Sequence, residues 1–234
     1  MKILLVNDDG IRSLRLSIAQ RHLEKFGEVW VVAPSEEQSA KSMAITLGEF
    51  KFKRQRERVY TVEGTPADCV TFGLFGLKLN PDFVVSGVNY GYNVGADIMY
   101  SGTVGAALHA CYHGYPSIAF SGYPNGNKHI EEQLTEMINY VLDRNLLSED
   151  YVINVNFPND KVDYKGRRFS KVTNFKVDIE GTIEDDTFKY NQKRPDYLAE
   201  RYDDTDLGRV HRGFITMTRL TLDKERVQSK WKLS

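Results

Sequence analysis

Two adjacent carboxylates, Asp8 and Asp9, follow directly on the apolar run Ile3-Leu4-Leu5-Val6, with Asn7 before them and Gly10 after. Neighbouring acids at the mouth of a buried strand repel each other and cost stability unless a cation neutralises them. The pair therefore points to metal binding; the plain alternative is one Asp capping the following helix while the other faces water. A second polar cluster, Ser35-Glu36-Glu37-Gln38-Ser39-Ala40-Lys41-Ser42, follows the apolar run that ends at Ala33-Pro34. Its hydroxyls could cap a helix or supply a hard oxygen ligand. A third cluster, Ser86 to Asp97, carries Asn89, Asn93 and Asp97 among glycines at 87, 91 and 95. That recurrence fits neither the dinucleotide fingerprint nor the Walker P-loop, and suits close backbone approach with oxygen ligation. A fourth, Tyr100-Ser101-Gly102-Thr103, opens a helical run of small residues, Val104-Gly105-Ala106-Ala107. Hydroxyls and free amides at a helix N-terminus favour an anion, although simple N-capping by Ser101 or Thr103 also accounts for the hydroxyls. Oxygen ligands for a cation beside a site for an anion indicate phosphate chemistry, and hard oxygen donors suit Mg²⁺ or Mn²⁺.

Two other constellations point elsewhere and are weaker. His109 and His113 share a helical face at the spacing zinc sites use, but His109-Ala110-Cys111-Tyr112-His113 is not H-E-x-x-H, and packing is the better account. No G-x-S-x-G elbow is present, which argues against a serine hydrolase.

The elements that must position these clusters alternate along the first two-thirds of the chain. Ile3 to Val6, Val29 to Ala33, Phe83 to Ser86, Ser117 to Ser121 and Tyr151 to Val155 read as buried parallel strands. Leu14 to Phe26, Pro66 to Leu77, Thr103 to His113 and Ile130 to Leu142 read as helices between them. The alternation predicts an α/β fold, a Rossmann-like, doubly wound, mostly parallel sheet whose ligands bind beyond the carboxyl ends of the strands. Residues 50–62 interrupt it as a hairpin-like excursion rich in Lys and Arg. Glu49, Glu57 and Glu63 are interspersed there, so a solvated charged face is favoured over an anion patch. From Lys165 onward the pattern becomes polar and β-rich, and Gly213 to Leu222 suggests strands outside the main sheet. The expected organisation is a catalytic core at 1–164 and a C-terminal extension at 165–234.

The chain has 234 residues, of which 41% are hydrophobic and 27% charged, a globular composition that excludes disorder and collagen-like repeats. Thirty-one basic residues against 32 acidic ones leave a net charge of −1. No global positive field would hold a nucleic-acid polymer, and no polybasic tail or long apolar stretch marks a membrane. Cys69 and Cys111 fall in helical stretches away from metal-ligand spacing, so a reducing, cytoplasmic compartment is expected.

These residues, in this order, resemble the SurE family (survival protein E) of metal-dependent nucleotidases. The resemblance rests on Asn7-Asp8-Asp9-Gly10, Val32-Ala33-Pro34, Ile45-Thr46-Leu47, Gly64-Thr65-Pro66-Ala67-Asp68-Cys69-Val70, Pro81-Asp82 through Asn89, and Tyr100-Ser101-Gly102-Thr103-Val104. Asn154-Val155-Asn156-Phe157-Pro158 and Thr205-Asp206 extend it over nearly the whole chain. It implies hydrolysis of nucleoside 5′- and 3′-monophosphates with one divalent metal ion. It also implies a C-terminal part that exchanges elements between the subunits of a homodimer or homotetramer. Carried onto matching positions, Asp8, Asp9, Ser39 and Asn89 would be metal ligands, and Asn93, Ser101, Gly102 and Thr103 would hold the phosphate. Three departures stand out: Leu14-Arg15 in place of a Pro-Gly pair, Ala40 in place of a glycine after Ser39, and Thr221 where a histidine is frequent. With that histidine missing, Asp97 becomes the candidate for proton transfer and His211 a distant second.

Two rivals are a receiver-type signalling domain and a non-catalytic nucleotide-binding subunit. A receiver needs a lone Asp after its third strand and a Lys after a later one, where this chain has Ser86-Gly87 and Ser121-Gly122.

Overall fold

The computed structural model describes residues 1–175, 177–193 and 202–222; the parts of the expected extension at 176, 194–201 and 223–234 lie outside them. In chain order the strands and helices begin β1 (Lys2–Val6), α1 (Leu14–Leu23), β2 (Glu28–Pro34), β3 (Phe52–Arg56), β4 (Val59–Val62) and α2 (Pro66–Thr71). They continue with β5 (Phe83–Tyr90), α3 (Gly102–Tyr112), β6 (Ser117–Gly122), α4 (Lys128–Asp143) and β7 (Tyr151–Phe157). β8 (Arg167–Phe169), β9 (Asp178–Glu184), β10 (Thr187–Lys193), α5 (Asp206–His211) and β11 (Ile215–Thr221) complete them.

Nine strands form one sheet in the order β3-β4-β2-β1-β5-β6-β7-β11-β8. It is parallel from β4 to β7, with antiparallel β3 and β11 on either side. Successive side chains of a strand face opposite sides of the sheet, and the core divides accordingly. Ile3, Leu5, Val29, Val31, Phe83, Val85, Ile118, Phe120, Ile153 and Val155 pack under Leu16, Ala19 and Leu23 of α1 and Ile130, Leu134 and Met137 of α4. Leu4, Val6, Val32 and Val84 pack on the other face against Cys69 and Val70 of α2 and Ala106 and Ala110 of α3. Each buried Val, Leu, Ile, Phe or Met side chain among them contributes about 1.5–3 kcal/mol.

β1 lies between β2 and β5, so the chain crosses one way to reach β2 and the other way to reach β5. At such a switch point the loops leaving neighbouring carboxyl ends part, and a crevice opens where ligands bind. Here the switch point lies at the ends of β1 and β5, which carry Asp8 and Asp9 on one side and Asn89 on the other.

Two expectations are corrected. The segment 50–62 does fold as a hairpin, but β4 is a buried member of the main sheet, parallel to β2. Only β3 stands at the edge, exposed throughout, where its Lys and Arg side chains discourage pairing with another chain. Gly213 to Leu222 does not lie outside the sheet, because β11 pairs antiparallel with β7 and parallel with β8. Its polar, β-rich composition is no bar to burial: Ile215 and Met217 join the large core, and Thr216 and Thr218 are buried as well. What projects from the sheet within 165–222 is the β9–β10 hairpin, exposed along both strands. Among the described residues no helix is long and apolar enough to cross a membrane.

Candidate functional site

Asp8 leaves the end of β1 and is 3% exposed. Its Oδ1 accepts a 2.6 Å bond from the Thr103 hydroxyl, and its Oδ2 accepts from the Thr103 amide at 3.2 Å. The first turn of α3 therefore presents its amide and its positive dipole end to Asp8. Gly102 makes the approach feasible, because a Cβ there would meet the Asp8 Cβ at 3.0 Å and Oδ2 at 3.1 Å. Burial raises the Asp8 carboxyl above its ordinary value in spite of these bonds. Asp9 is half-buried, and its Oδ2 has no hydrogen-bond partner. Burial and the charge of Asp8 push Asp9 up to about 7, with the Tyr90 amide and Arg15 pulling the other way.

An orphaned carboxylate oxygen and two acids each raised by burial are what a cation site looks like before the cation neutralises it, so the donor set fits a hard divalent metal. No group of three or more His, Cys, Asp or Glu side chains that could hold a metal occurs among the described residues. Ligation here would accordingly combine the two acids with neutral oxygens.

The raised Asp9 links stability to pH. Its pKa is 3.8 unperturbed and about 7 in the fold, so between those values the folded, cation-free protein holds a proton that the unfolded chain has released. The corresponding stabilisation is present in full below pH 3.8 and is lost as pH rises through 7. A divalent cation bound at Asp9 would take the place of that proton. Scanning calorimetry should therefore show the gain in thermal midpoint on adding Mn²⁺ growing from about pH 5.5 to about pH 8, the cation-free midpoint falling over the same interval. A gain constant with pH would remove Asp9 from the site.

Ser39 sits on the loop that crosses these strand ends. The loop is fixed at several points: the Gln38 amide donates to the Asp8 carbonyl at 2.8 Å, and the Ser42 amide to the Tyr100 carbonyl at 3.0 Å. Further on, the Thr46 amide and hydroxyl bond Asp68 at 2.9 and 2.6 Å. A Cβ on Gly105 would fall 2.1 Å from the Ser42 carbonyl oxygen, so that glycine lets the loop lie on α3. The exposed Ser39 hydroxyl donates to Glu37 at 2.7 Å, which leaves oxygen lone pairs for a cation. Ala40 takes a left-handed φ of 58°, a conformation that costs a residue with a Cβ roughly 1 kcal/mol and a glycine almost nothing.

Asn89 closes the crevice from the end of β5, its Nδ2 donating to the Gly91 carbonyl at 3.0 Å. Asn93 is 5% exposed and woven into the interior. Its amide donates to Asn156 Oδ1 at 2.8 Å, its Nδ2 donates to the Ser121 hydroxyl at 2.8 Å, and its carbonyl accepts from Asn154 and Asn156. Asn154 and Asn156 alternate with apolar residues in β7 and gave no local sign of this role. Asp206, also fully buried, accepts from the Gly95 amide at 3.1 Å and so ties the same loop to α5.

Ser101 is the N-cap of α3, its oxygen accepting from the Val104 amide at 3.0 Å, which leaves its own O–H as a donor. Thr103 differs from the expectation, since its hydroxyl and amide are both turned to Asp8. Asp97 lies on the 3-10 turn Gly95–Met99, half-buried, with its carbonyl accepting from the Ser101 amide at 3.1 Å. It borders two cavities. One, about 490 Å³, is lined by Ala40, Tyr100 and the hairpin residues Ile179, Phe188 and Tyr190. The other, about 450 Å³, is lined by Tyr92, Tyr123, Leu207 and His211. Burial, with Arg212 nearby, lowers His211, so the neutral imidazole is favoured. His109 bonds Thr71 at 2.9 Å and packs edge to face on His113, a packing arrangement away from the crevice.

Comparison with known proteins bears on this arrangement. The family model described as survival protein SurE matches residues 3–178. The chain is 36% identical over 243 residues to a protein named 5′-nucleotidase SurE from Thermoanaerobacter sp. (strain X514), with 95% of this chain and 93% of that protein covered. It is 41% identical over 180 residues to the 5′/3′-nucleotidase SurE of Wigglesworthia glossinidia brevipalpis, covering 73% and 70%. The crystal structure of the SurE protein from Aquifex aeolicus superposes with a TM-score of 0.83 at 32% identity, over 97% of this chain and 96% of that one.

Proposed function

The chain belongs to the SurE family, and from that premise we propose that it is a phosphomonoesterase that hydrolyses nucleoside 5′- and 3′-monophosphates with one divalent cation, Mg²⁺ or Mn²⁺. The observation that carries this reading is the Asp8–Asp9 pair, with the unpartnered Asp9 oxygen, set against the N-terminus of α3. Asp8, Asp9, Ser39 and Asn89 would hold the metal. A bound divalent ion would polarise a phosphoryl oxygen and lower the pKa of a water.

The remaining work falls to the chain. The Ser101 hydroxyl and the Gly102 amide would donate to the equatorial phosphoryl oxygens, while Asn93, expected to hold the phosphate as well, has its Nδ2 taken up by the Ser121 hydroxyl and would shape the loop opposite. Thr103 completes the set by fixing Asp8. The apolar walls of the cavity at Tyr100, Phe188 and Tyr190 suit the nucleoside. In this reading the protein is cytoplasmic and works as a homodimer or homotetramer in which the C-terminal extension at 165–234 exchanges elements between subunits, with no nucleic-acid polymer or membrane as partner.

Assay of the purified chain with Mn²⁺ and a panel of nucleoside monophosphates tests the activity; release of inorganic phosphate that depends on the cation is expected, and none with any nucleotide would overturn it. The same assay separates the two hydroxyls. Loss of one hydrogen bond to a charged group costs about 1.5–3 kcal/mol, about 10- to 150-fold in kcat/KM. Ser101→Ala should show that loss with Mn²⁺ affinity unchanged. Thr103→Val should weaken Mn²⁺ binding as well, because it releases Asp8. Equal Mn²⁺ affinity in both variants would refute the division.

A further inference from the structure

Arg15, the first-turn residue of α1 at the Leu14-Arg15 departure, is 0% exposed. Its guanidinium reaches out of the helix to the ends of β5 and β6 and the loop that follows β6. Nη1 donates to the Asn89 carbonyl at 2.5 Å and to the Gly122 carbonyl at 3.2 Å. Nη2 donates to the carbonyls of Tyr123 and Gly126, and Nε to Asn127 Oδ1 at 2.8 Å. The Tyr90 ring covers the guanidinium at 4.1 Å. A planar fork of five donors can satisfy this many acceptors in fixed directions, which an ammonium on a flexible stem cannot. The acceptors belong to residues 89 and 122–127, segments already joined by the Gly91 amide donating to the Gly122 carbonyl at 2.8 Å. One side chain thus ties α1, the end of β5 and the loop after β6 into one unit, and places a buried positive charge near Asp9.

We propose that Arg15 is a positioning residue of the metal site: through its bond to the Asn89 carbonyl and its clamp on residues 122–127, it holds Asn89 in register opposite Asp8 and Asp9. The inference rests on the metal reading above and adds a residue that would touch neither metal nor substrate. Groups that orient ligands from behind typically govern metal affinity by about 10- to 100-fold.

The test is calorimetric titration of the full chain with Mn²⁺ alone, using wild type, Arg15→Lys and Arg15→Met. Arg15→Lys keeps the charge but not the fork and should bind Mn²⁺ about tenfold more weakly, with Arg15→Met weaker still. Inhibition by inorganic phosphate at saturating Mn²⁺ should stay close to wild type, a split that general loosening of the fold would not produce. Hydrogen exchange should quicken at residues 89–91 and 122–127 and remain slow in β1. Should Arg15→Met fail to fold, Asn127→Ala, which removes only the acceptor of Nε, should weaken Mn²⁺ binding by a smaller factor. Wild-type Mn²⁺ affinity in both Arg15→Lys and Asn127→Ala overturns the proposal while leaving the metal site intact. A wild-type chain that binds no Mn²⁺ overturns both.

Discussion

Changing Asp8 or Asp9 to asparagine should remove most Mn²⁺ binding and, with it, nucleotide hydrolysis by about three orders of magnitude, because the metal is asked to supply several kcal/mol of transition-state stabilisation. The two variants should differ in the cation-free protein. Asp8→Asn keeps a side-chain oxygen to accept from Thr103, so the start of α3 stays anchored. Asp9→Asn relieves the repulsion and burial that push Asp9 up to about 7, so the cation-free Asp9→Asn protein should melt higher than wild type above neutral pH. A variant that is more stable without metal, yet no longer stabilised by metal, is a signature that simple misfolding cannot produce. Calorimetric titration and thermal melts with and without Mn²⁺ read both effects. Wild-type Mn²⁺ affinity in both variants would refute the assignment of the pair.

The chemistry of this crevice was legible where it is local. An acid pair after a buried strand, a glycine-spaced Asn loop and a hydroxyl-bearing helix start are short stretches whose residue types state their preferences directly. Alternation of strands and helices placed them at one edge of the sheet, because consecutive βα units leave their loops at the carboxyl ends. What remained hidden depends on partners distant in sequence. Thr103 looks like an anion donor until it is seen 2.6 Å from Asp8, 95 positions away. Arg15 stands out in the sequence only as part of the Leu14-Arg15 departure, and only the fold brings the carbonyls at 89 and 122–126 within its reach. Asn154 and Asn156 lie in a stretch whose sequence carries only the resemblance, and the fold makes them acceptors and donors for the backbone of Asn93. β11 was misplaced for a related reason: Thr216 and Thr218 have hydroxyls, and burial beneath a covering element is not written in their own neighbourhood.

Asp97 carries the prediction with the widest consequence for mechanism. A nucleoside alkoxide is a poor leaving group, and an acid positioned to protonate it typically contributes 10²–10⁴-fold. Thr221 replaces the histidine that the family resemblance would supply, so another residue is needed. Asp97 borders both the cavity bounded by Tyr100, Phe188 and Tyr190 and the one bounded by Tyr92 and His211. His211 shares the second cavity, but burial and Arg212 lower it, which favours the neutral imidazole and makes it the weaker candidate. Asp97→Asn should therefore slow nucleoside monophosphate hydrolysis by about 10²-fold or more, and slow a p-nitrophenyl phosphate ester far less, because that leaving group departs without a proton. His211→Asn should alter the two substrates alike and modestly. Equal losses on both substrates for Asp97→Asn would mean that the carboxylate orients the Ser101 turn instead of donating a proton. A greater loss for His211→Asn on the nucleotide alone would transfer the acid role to the imidazole.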